Sequence, residues 1–373
     1  MRISLTQPQL AGAIQTVARA VSGKTTAPVL TGILISAENS RITLKAYDTE
    51  IGIQAPAGGT VERDGSIVLP AKIMGEIIRS IPQGNITIDA DVSNHTATLT
   101  WGRSEFTIHG FDAVQFPSLP EISAAGPITV ETETMKGMIR QTAFATAQSD
   151  ARPVLTGVLL EASGRELSMV AIDGVRLSFR RVYLSNDGIP ESKAIVPARA
   201  LNEVARLIQS GPEVPSVGLE AGQGHALFTI GEVRVISRLL EGQFPPYQQI
   251  IPKSYSTTVT IRRQDLHDAC ERASLVSSDD DNTIRLNISG GCVSMSAASP
   301  EVGRVREDVD AQVEGESLEI AFNARLLIEG LRVIDVDEVL LRSTGKFSPA
   351  CIRYVDHENF IYVVMPLRTA EVS

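Results

Sequence analysis

The chain has 373 residues, a formal net charge of −10, and ordinary apolar and charged fractions of 43% and 21%. That balance fits a globular protein with two or three cores and argues, taken as a whole, against bulk attraction to nucleic acid. No run of 18 apolar residues occurs, and the opening Met1–Pro8 lacks the apolar stretch of a signal peptide. Cys270, Cys292 and Cys351 form no CxxC pair, so buried reduced thiols and a cytoplasmic location are expected.

In chain order, the first predicted element is a helix over Thr6–Val21, where Leu10, Ile14, Val17 and Val21 recur at helical spacing. Pro28-Val29-Leu30-Thr31-Gly32 then opens a strand-rich stretch. A second helix is expected over Ala71–Ile81 on Ile73, Ile77, Ile78 and Ile81, stopped by Pro82. Thr96–Trp101 alternates with period two, and Phe106 and Ile108 continue the pattern. After the proline-rich Pro117–Pro127 the order repeats. A helix over Glu133–Gln148 carries Met135, Met138, Ile139 and Thr142 on one face, and one over Ala198–Gln209 carries Leu201, Val204, Leu207 and Ile208, ending before Pro212. Strands through Val233 and Val235 lead to a second proline-rich segment, Pro245–Lys253. A third round gives helices over Arg262–Val276 (Leu266, Ala269, Cys270, Ala273) and Asn323–Ile334 (Leu326, Leu327, Leu331, Ile334). Turn signals stand at Arg63-Asp64-Gly65, Asn186-Asp187-Gly188 and Ser289-Gly290-Gly291.

The organising signal is a repeat. Pro28-Val29-Leu30-Thr31-Gly32 returns unchanged as Pro153-Val154-Leu155-Thr156-Gly157, 125 residues on. Leu69-Pro70-Ala71 returns as Val196-Pro197-Ala198, and Phe116-Pro117-Ser118-Leu119 as Phe244-Pro245-Pro246-Tyr247. A diverged third copy sets Thr283–Ile288 and Ala321-Phe322-Asn323-Ala324 in the corresponding places. This period is too long for a solenoid and means duplicated domains. We read three similar α+β domains, 1–126, 127–252 and 253–373, each with two helices packed on short antiparallel strands.

Signals for enzyme chemistry are missing from the sequence. Gly222–Leu227 lacks the last glycine of a dinucleotide loop, and neither a phosphate loop nor a GxSxG elbow occurs. The five histidines show no metal-ligand spacing, and Asp279-Asp280-Asp281-Asn282 lacks the glycine and distal glutamate of a calcium loop. No cofactor and no metal are therefore expected. Asp173-Gly174 has a counterpart in Asp48-Thr49, which assigns both aspartates to turn capping. The charge is unevenly spread. The six predicted helices together carry +5, so they could form a basic surface on an acidic protein.

The three tandem units, the strand Ala171-Ile172-Asp173-Gly174-Val175-Arg176-Leu177 and the ending Tyr362-Val363-Val364-Met365-Pro366-Leu367-Arg368 resemble the bacterial DNA polymerase III beta subunit family, the sliding clamps. The resemblance runs over essentially the whole chain. It implies a DNA-clamp fold and a non-enzymatic, ring-forming homodimer that encircles duplex DNA, with helices lining the hole. It also implies tethering of the DNA polymerase III catalytic subunit, the clamp loader and other proteins with a clamp-binding motif. DNA contacts are carried over to Lys24, Gln148, Ser149 and Arg152; charge and helix position add Arg19, Arg79, Arg140, Arg199 and Arg206.

The family's partner-peptide cleft falls on Leu155, Gly157, Ile172, Gly174, Val175, Arg176, Leu177, Pro245, Gln249, Ile250, Pro349, Val363, Val364, Met365, Pro366, Leu367 and Arg368. An apolar cleft with a flexible methionine and a ring of arginines suits short hydrophobic peptides that carry acidic residues. The dimer interface falls on Arg103, Glu105, Phe106 and Ile108 of one copy, facing Leu275, Val276, Arg304 and Glu307 of the other. Two other readings stay open: an enzyme acting on nucleic acid, and a monomeric three-domain scaffold.

Overall fold

The computed structural model describes every residue except 24, 123–126, 150, 186–188, 212, 278–281 and 369–373. Six α-helices stand in the predicted order: α1 Gln7–Val17, α2 Ala71–Ser80, α3 Thr132–Thr142, α4 Ala198–Ser210, α5 Arg263–Ser274 and α6 Ala324–Arg332. Local chemistry sets their starts. Thr6 and Gln9 close a reciprocal capping box at α1, with Pro8 in its first turn. Asn323 Oδ1 accepts from the Arg325 amide at 3.0 Å to cap α6.

Two helices are shorter than expected. After Val17 and after Thr142 the chain tightens into 3-10 turns, Ala18–Ala20 and Ala143–Ala145. Arg262 closes the strand Thr257–Arg262 instead of opening α5. Arg19 and Arg262 thus leave the helices, whose net charge falls from the expected +5 to +3. The buried face of α2 is also different. Ala71, Met74, Gly75 and Ile78 point inward, whereas Ile73 is 46% exposed. A run with isoleucines at 73, 77, 78 and 81 fits two helical registers, and the buried one runs through Met74 and Ile78. The stripes of α3, α4 and α5 are buried as expected.

Among the described residues the strands form three antiparallel sheets. A five-stranded sheet runs Thr60–Arg63, Arg2–Thr6, Asn85–Asp91, Thr96–Trp101, Ser104–His109. An eight-stranded sheet runs Ile128–Glu131, Ser216–Gly222, His225–Ile230, Val233–Arg238, Ile51–Ala57, Arg41–Tyr47, Gly32–Glu38, Gly65–Pro70. A twelve-stranded sheet runs Ile189–Pro197, Gly157–Gly164, Glu166–Ile172, Arg176–Tyr183, Phe360–Val364, Ala350–Tyr354, Glu338–Ser343, Thr257–Arg262, Gly303–Gly315, Cys292–Ser299, Thr283–Ser289, Leu318–Asn323.

The chain divides into two compact units, Met1–Met135 with Arg199–Leu239 and Lys136–Ala198 with Leu240–Ser373. The division follows the sheets. The middle repeat gives some strands to the first unit and some to the second. In the second unit, α5 and α6 bury Leu266, Cys270, Leu327 and Leu331 against one sheet face that includes Ile352, Phe360 and Tyr362. Each such side chain contributes roughly 1.5–3 kcal/mol by leaving water. Cys270, Cys292 and Cys351 are free thiols, and burial pushes Cys270 up to about 12. The turn Asn186–Gly188, Pro212 and Asp279–Asp281 lie outside the described residues.

Candidate functional site

The repeated pentapeptide sets the frame of the site. Pro153–Thr156 forms a 3-10 turn that delivers Gly157 to the start of a strand. Gly157 is required there: a Cβ on it would stand 2.7 Å from Leu240 Cδ1, 2.8 Å from Ile195 Cγ2 and 2.9 Å from the Val196 carbonyl oxygen. Leu155, Ile172, Leu177 and Val363 are buried together, with Ile250 packed on them. Residues not expected from the sequence complete this apolar floor: Phe179, Phe244, Tyr247, Cys351 and Ile361. Phe244 and Tyr247 were visible as a repeated landmark. The strand residues became visible only through pairing.

Asp173 shapes the turn. Its Oδ1 accepts from the amides of Val175 and Arg176, both at 3.0 Å, and Gly174 takes φ +105, which only glycine adopts freely. The capping role expected of Asp173 and Asp48 holds in both copies, because Asp48 Oδ1 accepts from Glu50 at 3.0 Å and Ile51 at 2.7 Å. The last strand then lies beside the turn, with Arg176 opposite Val364 and Leu177 opposite Val363. The Met365 amide donates to the Val175 carbonyl at 2.9 Å, and the Leu367 amide to the Ala321 carbonyl at 2.8 Å. Met365 and Val175 are 40% and 49% exposed, two large apolar side chains held at a rim. Pro245, Ile250, Pro349, Pro366 and Leu367 are half-buried, and Gln249, Gly174 and Arg368 are exposed. Of the residues expected of a cleft, Leu155, Ile172, Leu177, Ile250 and Val363 thus share one apolar cluster, and Met365 is bonded to Val175.

The expected ring of arginines needs correction. Arg176 turns inward, with its side chain 8% exposed. It donates to Asp173 Oδ2 at 2.8 Å, Glu329 Oε2 at 2.5 Å and the Phe144 carbonyl at 2.9 Å, and stacks on the Phe144 ring. It positions the turn from beneath, and Arg368 is the exposed arginine of the set. Burial raises the Glu329 carboxyl, but hydrogen bonds from Arg176 and Arg325 outweigh that and hold it below the ordinary glutamate range.

The DNA-facing candidates are spread across both units. Gln148, Ser149 and Arg152 are exposed around one turn, and Lys24 lies outside the described residues. Four of the arginines expected to contact DNA are paired with carboxylates. Arg19 and Arg206 approach Glu203 at 3.6 and 2.7 Å, Arg140 approaches Asp335 at 3.3 Å, and Arg199 reaches Asp48 at 2.6 Å and Glu50 at 3.7 Å. Arg79 and Arg152 have no carboxylate in ion-pair reach among the described residues. Carboxylates distant in sequence thus meet two of the helical arginines, Arg140 and Arg199, while Arg206 pairs within its own helix.

The interface candidates occupy open edges. Ser104–His109 pairs only with Thr96–Trp101 among the described strands. Ile108 is buried, whereas Phe106 is 45% exposed and stacks on Trp101 at 5.3 Å. In the long strand Gly303–Gly315, residues 311–315 pair with Thr257–Ile261 on one side and residues 303–310 pair with Cys292–Ser299 on the other, so among the described strands the second flank of 303–310 is unpaired. Arg103, Glu105 and Arg304 are exposed. Leu275 is 76% exposed and Val276 half-buried. Glu307 is already bound by both arms of Arg272.

One histidine does sit near carboxylates, contrary to expectation. Along α5, His267, Asp268 and Glu271 bring ligand atoms within 4.8 Å of one another. Spacing of one and four residues achieves this on a helix. Arg332 pairs with Glu271 at 3.5 Å, so a cation already serves that carboxylate.

Comparison with known proteins agrees with this geometry. Three family descriptions cover the chain: DNA polymerase III beta subunit, N-terminal domain, at residues 1–120, the central domain at 129–246, and the C-terminal domain at 248–368. A beta sliding clamp of Staphylococcus epidermidis is 34% identical over 361 residues, covering 94% of this chain and 95% of the relative. One from Staphylococcus aureus is also 34% identical, over 362 residues, with the same coverage. Among solved structures, the DNA polymerase sliding clamp of Bacillus subtilis superposes with a TM-score of 0.95 at 30% identity, covering 99% of this chain and 100% of that one. A Pseudomonas aeruginosa clamp bound to griselimycin gives 0.92 at 30% identity and the same coverage. No helix among the described residues is long and apolar enough to cross a membrane. Three domain matches in order, whole-length relatives and a shared fold place the chain in the DNA polymerase III beta subunit family, the bacterial sliding clamps that serve replication as processivity factors and not as enzymes.

Proposed function

We propose that two copies of the chain close head to tail into a ring around duplex DNA. The observation that carries this reading is the pair of unfinished strand edges, Ser104–His109 and the 303–310 half of Gly303–Gly315. Each is a row of unpaired amides and carbonyls, and each would template a further antiparallel strand. A head-to-tail dimer of three-domain chains satisfies both edges of both copies and leaves no open edge there. Phe106 and Leu275 supply apolar contact, while Glu105 and Arg304 supply opposite charges.

In this reading the helices face the DNA, and Lys24, Arg79, Gln148, Ser149 and Arg152 touch phosphates without reading bases. Contact is weak because the helices carry only +3 and several arginines are paired. Retention comes from linkage around the duplex, and the weak contacts permit sliding. The cleft of the second unit holds short hydrophobic peptides of the polymerase catalytic subunit, the clamp loader and other partners, against Leu155, Leu177, Val363 and Met365. The protein works in the cytoplasm on the chromosome. The domain limits 1–126, 127–252 and 253–373 are part of the same reading.

The test is retention on circular DNA after loading. We expect the protein to co-elute with circles at salt that strips a contact-based binder, and to be lost once the circle is cut. Loss from intact circles while the dimer persists would refute encirclement. Sedimentation tests the interface: Phe106→Ala should weaken the dimer about tenfold or more, since burying that ring is worth roughly 1.5–3 kcal/mol. Glu105→Ala should act by less, since an exposed pair contributes about 0–1 kcal/mol. Equal effects would sink the ranking.

A further inference from the structure

A second pocket of the same unit has the chemistry of an anion site. It spans about 620 Å³, within the range of small-ligand sites, and shares Phe179, Tyr247 and Ile361 with the apolar floor of the peptide cleft but none of the residues expected to line that cleft. Its floor is the same sheet face further along the strands, where Phe179, Ile361 and Arg353 follow Leu177, Val363 and Cys351 at alternate positions. Its wall is the connecting segment through Gln248, Ile251, Pro252 and Tyr255. Four cations line it, Arg181, Lys253, Arg342 and Arg353, against two carboxylates, Glu166 and Glu358. An excess of two positive charges in one pocket is unusual on a chain of net charge −10.

The arginines are placed and underused. Arg342 and Arg353 lie on neighbouring strands, on one face, with Arg342 opposite Cys351 and Arg353 opposite Leu340. Both stack on the Tyr255 ring, at 5.6 and 5.8 Å from its centre, and the Tyr255 hydroxyl is fixed by donating to the Pro252 carbonyl at 2.8 Å. Arg353 is 9% exposed and spends one arm on Glu358 at 2.5 Å. Arg342 has no carboxylate in ion-pair reach among the described residues. The Nε atoms of Arg181, Arg342 and Arg353 are buried without a hydrogen-bond partner. The neighbouring acids do not fill the gap: burial pushes Tyr255 up to about 12 and raises Cys351, so both are neutral. A buried guanidinium without an anion is costly, and its planar fork matches an oxyanion.

We propose that this pocket is an oxyanion-binding site that takes a carboxylate or phosphate group between Arg342 and Arg353. Glu358 competes for the same guanidinium and limits affinity in the free protein.

The experiment is calorimetric titration of the full chain with inorganic phosphate in one arm and glutarate in the other, at low ionic strength with chloride controls. One site per chain is expected in at least one arm. Tighter phosphate points to free or esterified phosphate as the natural source, and tighter glutarate to an acidic side chain. Arg342→Gln should weaken binding about tenfold, and Glu358→Gln should strengthen it roughly threefold by releasing Arg353, the range of one charge-assisted contact. Arg41→Gln, on an exposed strand position of the first unit, should change nothing. If Arg342→Gln fails to fold, Glu358→Gln and the exposed Lys253→Gln decide the matter through opposite shifts. Binding of neither anion above the chloride control, or affinities unmoved by these variants, would overturn the proposal.

Discussion

The two copies of Pro-Val-Leu-Thr-Gly have one backbone and two outcomes. Both make a 3-10 turn, a strand and an aspartate-capped turn. In the first copy, Gly52 stands where the second has Leu177. A Cβ at Gly52 would lie 2.5 Å from Leu119 Cδ2, so the connecting segment fills the space with its own leucine. The apolar cluster there is small: Val29, Leu30, Val68 and Phe116. In the second copy the strand supplies Leu177, and the matching connector residue, Tyr247, stacks on Phe179 instead. The spare carboxylate oxygen differs too: Asp48 takes Arg199 of α4, whereas Asp173 takes Arg176 of its own turn. Duplication provided a frame, and a few side chains decide whether that frame is plugged or open.

The largest expected effect is at Arg176. Arg176→Ala leaves the Asp173 carboxylate without its cation and Glu329 with Arg325 alone, and should cost about 3–5 kcal/mol in denaturant unfolding, with loss of partner-peptide binding. Ile51, its counterpart in the first copy, makes no such network, so stability equal to wild type in Arg176→Ala would break the comparison. Next come the shared glycines. Gly32→Ala would place a Cβ 2.4 Å from Val68 Cγ1 and 3.0 Å from the Leu69 carbonyl oxygen. It and Gly157→Ala should each cost about 1–3 kcal/mol in thermal unfolding, alike in both copies. A large difference between them would show that the frames are not equivalent.

Gly52→Ala should cost less, about 1 kcal/mol, because the atom it meets is the end of a flexible side chain. Adding Leu119→Ala should relieve that strain, giving a double-mutant coupling of opposite sign to the single effects; strict additivity would remove the plug argument. The smallest effect is on pH dependence. Glu329 is held below its ordinary range when folded, so its contribution is present above the unfolded glutamate value and lost as pH falls through the folded one. The melting-temperature gap between wild type and Glu329→Gln should narrow on acidification from about pH 7 to about pH 4. A constant gap would contradict the assignment.

Much of this was legible in the sequence because it is local or repeated. The pentapeptide, the alternation of Thr96–Trp101, the stripes of α3 to α5 and the capping aspartates follow from period and spacing alone. What was not legible depends on distance. The Arg176–Glu329 pair spans 153 residues, and no periodicity announces it. Arg199 looked free until Asp48 arrived beside it from another repeat. Ile73 fitted a stripe, but the register that is buried runs through Met74 and Ile78. Helical charge was overcounted because Arg19 lies in the 3-10 turn after α1 and Arg262 just before the start of α5.

The strand order has a consequence in time. Arg176–Tyr183 pairs early with Glu166–Ile172 but finds its second neighbour only in Phe360–Val364, the last of the described strands. A ribosome adding about 5–20 residues per second needs on the order of ten seconds or more to travel between them. Through that interval the strand that will floor the cleft has one edge open, and Met365 does not yet exist. In the proposed reading, a nascent chain therefore cannot capture a partner in the cleft until Met365 has been made, and a product broken off before that residue lacks this part of the site.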